Sequence, residues 1–460
     1  MNLKPVPAAY NADLKITSLG SKIGDPVSAA DFPQIQLRFR NDRWAASVGL
    51  ADLSDAAWLA HFGRFEPLPG NLPEPLALRY HGHQFRNYNP EIGDGRGFLF
   101  AQMRDGAGRL MDLGTKGSGT TPYSRGGDGR LTLKGGVREI LATEMLEALG
   151  VETSKSFSLI ETGEALVRGD EPSPTRSAVL VRLSHSHIRI GTFQRIAFER
   201  DEAMMRDLVR YCMTFLYNNL SDATDPAALL HLAVERIADQ AAAFMVAGFV
   251  HGVLNTDNIN ITGESFDYGP WRFTPFWDPH FTAAYFDEYG LYAFGRQAET
   301  MHWNLGQLAV ALRLICDAPP LIEALERFPA LFQSRLVTRF LWRLGITSRG
   351  QETDRALVEA SERAMIHGRI AVDTFFHAHR GGRTDRQVSE GEAYDSFLEQ
   401  LSSYESAAGD HPYWQGQEAC SLLIDEVEGI WDAIAGSDNW TLLNRKISAI
   451  RQMGEALALD

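Results

Sequence analysis

Four groups of residues along the chain have the types and spacing that phosphate chemistry uses. The first is Gly93-Asp94-Gly95-Arg96. Glycines let backbone N–H groups approach phosphate oxygens, and an arginine adds charge-assisted contacts. The same four residues also make an ordinary tight turn. The second group is Lys116, on a predicted strand, with Glu139 early in the helix predicted to follow. The glutamate can orient the lysine toward a phosphate, or the two can be unrelated charges on a solvated face. The third is Arg182 and Arg189 in VRLSHSHIRIGTF. Arginines beside a mainly apolar strand are rarely buried unpaired, so they either clamp a triphosphate or pair with local carboxylates. The fourth is His251 to Pro270, HGVLNTDNINITGESFDYGP. It reads as the metal-binding half of an ATP site.

Small-molecule kinases use an HGDxxxxN loop in which Asp is the base and Asn a metal ligand, followed by a second metal-binding Asp. Here His251, Gly252 and Asn258 keep those places, and Asp267-Tyr268-Gly269 resembles a DFG-type metal carboxylate. Val253 stands where such kinases carry the catalytic aspartate. Valine cannot accept a proton. Phosphoryl transfer by the usual arrangement is therefore disfavoured, while the metal ligands persist. Asp257 is the nearest carboxylate able to take over as base.

Regular elements must hold these residues in place. FLFAQM, RDGAGR and LMDLGTK, residues 98–116, predict two strands joined by a Gly-containing hairpin. Period two puts Lys116 on the face of Leu110, Asp112 and Gly114. TKGSGTTPYSRGGDGR, 115–130, is a polar, glycine-rich loop of the functional kind. GVREILATEMLEALG, 136–150, predicts a helix with one apolar face and Gly150 as its stop. AVLVRL, 178–183, predicts another strand. Beyond about Ala203 the patterns are mostly helical. HLAVERIADQAAAFMVAGFV, 231–250, delivers His251 into a loop, and helices resume at WNLGQLAVALRLI, 303–315, to run to the C-terminus. The first 75 residues, rich in Pro and aromatics, predict irregular structure and short elements wrapped on the main body. Strands first and helices later suit an α+β protein with a small sheet lobe and a large helical lobe.

A chain of 460 residues can bury a large core and predicts two lobes or domains. Its net charge of -15 argues against a nucleic-acid partner, although one local cluster of cations suffices for a triphosphate. Cys212, Cys316 and Cys420 are widely spaced, which suggests neither a zinc ribbon nor a disulfide framework. The N-terminus shows no apolar signal core, and the stretch AAAFMVAGFV is well short of the roughly 20 residues a membrane helix needs. A cytoplasmic protein with no membrane partner is expected.

Considered together, several stretches resemble the selenoprotein O family, kinase-fold proteins that transfer AMP rather than phosphate. They are YHGHQF at 80–85, GDGR at 93–96, KGSGTTPYSRGGDGR at 116–130, REILATEMLEALG at 138–150, SHIRIGTF at 186–193 and the 251–270 segment. The resemblance implies a bilobal protein-kinase-like α+β fold. A small sheet-containing N-lobe would span 76–185 and a large helical C-lobe 186–385, with an N-terminal extension 1–75 and a helical C-terminal extension 386–460. It also implies a nucleotide flipped relative to ordinary kinases, with its α-phosphate toward the acceptor. Gly93, Gly95 and Arg96 would lie against that nucleotide, and Asp128 and Gly129 would contact its adenine side. Lys116, held by Glu139, would contact phosphate together with Arg182 and Arg189. Asn258 and Asp267 would hold Mg²⁺ or Mn²⁺, and Asp257 would be the proton acceptor. The product would be an AMP ester on Ser, Thr or Tyr of target proteins, made from ATP with pyrophosphate leaving. The chain departs from the family pattern at Arg86, where Gly is usual, and at Gly126, where Arg is usual. Its C-terminal portion matches poorly and has no cysteine or selenocysteine near the end.

Three other readings compete. His81-Gly82-His83 and His185-Ser186-His187 could serve a metal-dependent hydrolase, but the β/α alternation of a barrel is missing, and structural hydrogen bonding is the preferred role for these histidines. Val253 also suits an inactive ATP-binding pseudokinase scaffold, although such a scaffold need not keep the lysine, the glutamate, both arginines and both metal ligands. UMP transfer from UTP with Mn²⁺ is the third.

Overall fold

The computed structural model describes residues 5–169 and 171–458. In chain order its strands are β1 (Gly24–Pro26), β2 (Gln36–Arg40), β3 (Leu76–Leu78), β4 (Gly82–Gln84), β5 (Asn87–Asn89), β6 (Leu99–Arg104), β7 (Leu110–Lys116), β8 (Leu131–Thr132), β9 (Lys155–Leu166), β10 (Thr175–Ser184), β11 (Phe249–Val250) and β12 (Arg272–Phe273). The main sheet is antiparallel, in the order β1-β3-β6-β7-β10-β9-β2, with β8 also paired to β10.

Its central strands are buried on both faces, and alternation, shifted by a bulge in β9 opposite Val181 and Arg182, decides which side chain goes where. Leu110, Leu159 and Leu180 point to one side, where they meet Val137, Ile140 and Leu141 of helix α3 (Leu133–Ala148). Met111, Leu113, Phe157, Val179 and Val181 point to the other. There they meet Trp44 of α1 (Asp42–Ser47) and Trp58 and Phe62 of α2 (Asp55–Gly63). The predicted hairpin and the AVLVRL strand are therefore β6, β7 and β10. Lys116 shares the face of Leu110, which is the α3 face.

The first 75 residues hold more regular structure than their composition suggests. α1 and α2 start at side-chain caps, Asn41 accepting from the N–H of Trp44 and Ser54 from that of Ala57. β1 and β2 form the two edges of the sheet. Elements this short show no sequence periodicity, because tertiary burial rather than local propensity holds them.

α3 begins at Thr132, whose hydroxyl caps the N–H of Gly135, and the chain turns away at Gly150 with φ +73°. α4 (Ile190–Glu199) and α5 (Glu202–Tyr211) follow the sheet. The helix predicted over 231–250 is longer at its start. It is α6 (Pro226–Ala247), stopped by Gly248 in the left-handed region, so that Phe249 and Val250 become β11. The remaining helices are α7 (Gln297–Leu312), α8 (Ala318–Glu326), α9 (Phe328–Leu344), α10 (Gln351–Gly368), α11 (Val372–Ala378), α12 (Glu392–Leu401), α13 (Ile424–Ser437) and α14 (Thr441–Leu457). α9 to α12 close a second apolar core around Phe340, Leu357, Phe375 and Phe397. α14 returns to α3, where Arg451 forms a two-pronged ion pair with buried Glu144. No described helix is long and apolar enough to cross a membrane.

Candidate active site

A polar cavity of about 690 Å³ gathers residues from all four groups singled out in the sequence. Gly93, Gly95, Arg96, Lys116, Asp128, Gly129, Arg182, Arg189, Asp257, Asn258 and Asp267 all line it, and so does Val253. Glu139 lies behind Lys116 on α3. Its Oε1 is 2.5 Å from the lysine Nζ, in a pair that is almost fully buried.

The end of β7 delivers Lys116, and the adjacent β10 delivers Arg182, which sits opposite Gly114 in the register. Both cations converge on one carboxylate. Asp267 Oδ1 is 2.7 Å from Lys116 Nζ and 3.3 Å from Arg182 Nη1. Burial alone would raise the Asp267 pKa, but Lys116, Arg182, Arg189 and Arg96 together hold it well below the usual carboxylate range. Asp267 also has φ +65°, a left-handed backbone that is uncommon for a residue other than glycine. Its neighbours fix that turn: Tyr268 OH shares a 2.5 Å hydrogen bond with Thr153, and the His251 ring meets the Phe266 carbonyl at 3.1 Å.

Arg189 caps α4 and is nearly fully buried. It donates to the Asp257 carbonyl at 2.9 Å and to Asp94 Oδ1 at 3.1 Å, and its guanidinium lies over the rings of Tyr80 and Phe266. The two arginines thus pair with local carboxylates and face the cavity at the same time.

Thr256, Asp257 and Asn258 form a single 3-10 turn after β11. Asn258 Nδ2 donates to the Val253 carbonyl at 2.9 Å, which orients the side-chain oxygen as its acceptor end. Burial pushes the Asp257 pKa up to about 6, against the pull of Arg189 and Gln84. Its Oδ1 has no hydrogen-bond partner among the described residues. A buried carboxylate tuned toward neutrality suits a proton acceptor.

The glycine turn and the glycine-rich loop fold onto each other. A Cβ on Gly93 would meet the Tyr123 ring at 2.5 Å, and one on Gly95 would meet the Tyr123 carbonyl at 2.8 Å. Thr121 and Ser124 hydroxyls donate to the carbonyls of Asp94 and Gly95, each at 2.5 Å. Asp128 is held by both terminal nitrogens of Arg168, at 2.8 and 3.1 Å.

Four contributors lay outside the sequence-derived set. Asp94 sits inside the GDGR turn but is buried, paired to Arg189 and hydrogen-bonded to the N–H of Leu78 at 3.1 Å. Gln84, Tyr123 and Arg168 also line the cavity. The motifs containing Asp94, Gln84 and Tyr123 were visible, whereas Arg168 carried no local signal. The two HxH pairs do not build a metal centre. The rings of His81, His83 and His187 bond to Tyr88, Gln194 and Asp112, and the His185 N–H donates to Glu264 at 2.6 Å. Among the described residues no three His, Cys, Asp or Glu side chains converge as a metal cluster. Asn258 and Asp267 instead present the hard oxygen donors that Mg²⁺ or Mn²⁺ prefers.

A family model described as "Protein adenylyltransferase SelO" matches residues 8–391. The "Protein nucleotidyltransferase YdiU" of Synechocystis sp. is 42% identical over 465 residues, covering 95% of this chain and 97% of that one. The proteins of the same name from Synechococcus elongatus and Gloeobacter violaceus are each 42% identical, covering 96% and 95% of this chain and 95% and 94% of their own lengths.

Proposed function

Given that the chain belongs to the SelO family of protein adenylyltransferases, we propose that the cavity around Lys116 transfers AMP from ATP to Ser, Thr or Tyr hydroxyls of other proteins. Family membership also implies a kinase-like arrangement. We assign its N-lobe to 76–185, its C-lobe to 186–385, and extensions to 1–75 and 386–460. The unpaired Cys212, Cys316 and Cys420 fit a reducing cytoplasm.

One observation carries this reading. The cavity keeps the Lys116–Glu139 pair, two arginines and the oxygen donors Asn258 and Asp267, yet the ordinary base position is Val253 and the nearby buried carboxylate is Asp257. In the proposed step the acceptor hydroxyl oxygen bonds to the α-phosphorus and gives its proton to Asp257. The bond between the α-phosphorus and the bridging oxygen breaks, and pyrophosphate leaves with the electron pair. Lys116, Arg182 and Arg189 supply positive charge to the phosphates, and Gly93, Gly95 and Arg96 line the nucleotide. Asp128 and Gly129 lie on the adenine side. Mg²⁺ or Mn²⁺ held by Asn258 and Asp267 would neutralise phosphate oxygens when bound.

Incubation with α-labelled and γ-labelled ATP tests the reading. Label is expected on protein from the α position only. γ-Label alone would make the chain a kinase, α-labelled UTP outcompeting ATP would make it a uridylyltransferase, and no label would leave a scaffold. Lys116→Ala and Asp267→Ala are each expected to lose at least about 100-fold in rate, the scale of removing one preorganised charge contact. Full activity in both would remove these residues from the site.

A further inference from the structure

The YHGHQF motif supplies Tyr80 and Gln84 to the cavity, and the residues between and around them build a separate element beside Asp257. Gly82 to Gln84 is β4, which among the described residues pairs only with β5 to make a hairpin of its own. Two strands this short have no independent stability, so the hairpin depends on what it rests against.

It rests on the turn that carries Asp257. The His83 N–H donates to Thr256 Oγ1 at 2.7 Å, and the Phe85 N–H donates to Asn255 Oδ1 at 3.0 Å. Thr256 Oγ1 in turn donates to Gln194 of α4 at 2.6 Å, and the Gln194 amide meets the His83 ring at 2.7 Å. Hairpin, turn and α4 are thus closed into one polar network. Gly82 lies directly against the carboxylate. A Cβ there would stand 2.7 Å from Asp257 Oδ1 and 3.0 Å from Ile92, so only glycine leaves the carboxylate its place. Gln84 Oε1 accepts from Asn89 Nδ2 of β5 at 3.1 Å, which fixes which way the amide is turned. The opposite end of that amide faces the Asp257 side chain. Gln84 also lines the cavity.

We propose that the β4–β5 hairpin is a positioning device for the proton acceptor: Gly82 gives the Asp257 carboxylate its space, and Gln84, oriented by Asn89, sets its direction toward the acceptor hydroxyl. Gln84 and Gly82 touch neither nucleotide nor acceptor in this account and act through Asp257. The proposal rests on the reading of Asp257 as base.

The test compares Gln84→Met, Gly82→Ala, Asp257→Ala and the double variants, each checked for folding by thermal melting. The rate is AMP incorporation from saturating α-labelled ATP with Mg²⁺ into soluble lysate protein, and nucleotide affinity is read with α,β-methylene-ATP. Gln84→Met keeps side-chain length and volume, so it serves should the tighter Gly82→Ala fail to fold. Each single hairpin variant is expected to lower the rate at least about tenfold, part of what a general base contributes. Analogue affinity should stay within about twofold, because no phosphate contact is touched. On the Asp257→Ala background the hairpin changes should add no further loss, as for residues acting as one unit. Full rates in folded hairpin variants, beside an inactive Asp257→Ala, would overturn the hairpin proposal alone. A loss of analogue binding that matches the loss of rate, or losses that add in the double variants, would overturn it too. An active Asp257→Ala would instead refute the base assignment beneath it.

Discussion

At the scale of single residues, Glu264 shows how burial governs charge near this site. It is fully enclosed, accepts from the His185 N–H at 2.6 Å, and burial pushes its pKa up to about 7 from an ordinary 4.5. The folded chain therefore binds this proton more tightly than the unfolded chain. Below pH 4.5 both states are protonated and folding carries no penalty. Between 4.5 and 7 only the unfolded chain ionises, so stability falls as pH rises, and the full penalty applies above 7. Its size is about 3 kcal/mol on the usual conversion of pKa shift to free energy. Glu264→Gln keeps an oxygen for His185 and removes the charge. The melting temperature of this variant is expected to rise relative to the parent from pH 5 to pH 8. A constant difference across that range would refute the assignment. Arg86 shows the opposite case, a residue whose strain lies in its backbone. It occupies the second position of the β4–β5 turn with φ +63°, following Phe85 at +50°. Both turn residues being left-handed is the hairpin geometry that glycine suits best, so Arg86→Gly is expected to stabilise the chain by up to about 1 kcal/mol in denaturant titration.

At the scale of elements, α3 is the lever. It carries Glu139 to Lys116 and is pressed between the sheet and α14. A Cβ on Gly136 would meet Leu159 of β9 at 2.3 Å, so the helix lies as close to the sheet as a missing side chain allows. Gly136→Val is expected to lift α3, lower stability by about 1–3 kcal/mol as overpacking does, and weaken ATP-analogue binding as Glu139 withdraws. Unchanged binding in the folded variant would show that the helix has slack. How far these elements could be read from sequence follows from what holds them. β6, β7, β10 and α3 announce themselves because their periodicity is set by long, continuous faces. The β4–β5 hairpin, α1, α2 and the edge strands do not, since each depends on partners far away in the chain. The site divides in the same way. Lys116, Arg182 and Asp267 were legible as charges among apolar or glycine-rich neighbours, where a charge needs a reason. Arg168 and Gln84 are ordinary polar residues until Asp128 and Asp257 are brought beside them.

At the scale of the whole molecule, the first 75 residues are part of the sheet's construction. They supply β1 and β2 at its two edges and Trp44, Trp58, Phe62 and Phe65 to the apolar layer over its outer face. Deleting residues 1–75 would leave β3 and β9 as open edges and uncover that layer, a combination that promotes edge-to-edge association. The truncated chain is expected to elute as aggregate in size-exclusion chromatography. A monomer that still binds ATP analogue would show that the remaining sheet stands alone. The pairing of β2 with β9 also has a meaning in time. Gln36 finds its partner only at Glu161. At about 5–20 residues per second of synthesis, on the order of ten seconds separates the appearance of the two strands. During that interval β2 and the tryptophans after it have no β9 to cover them, so the growing chain is most vulnerable to misassociation until β9 has emerged.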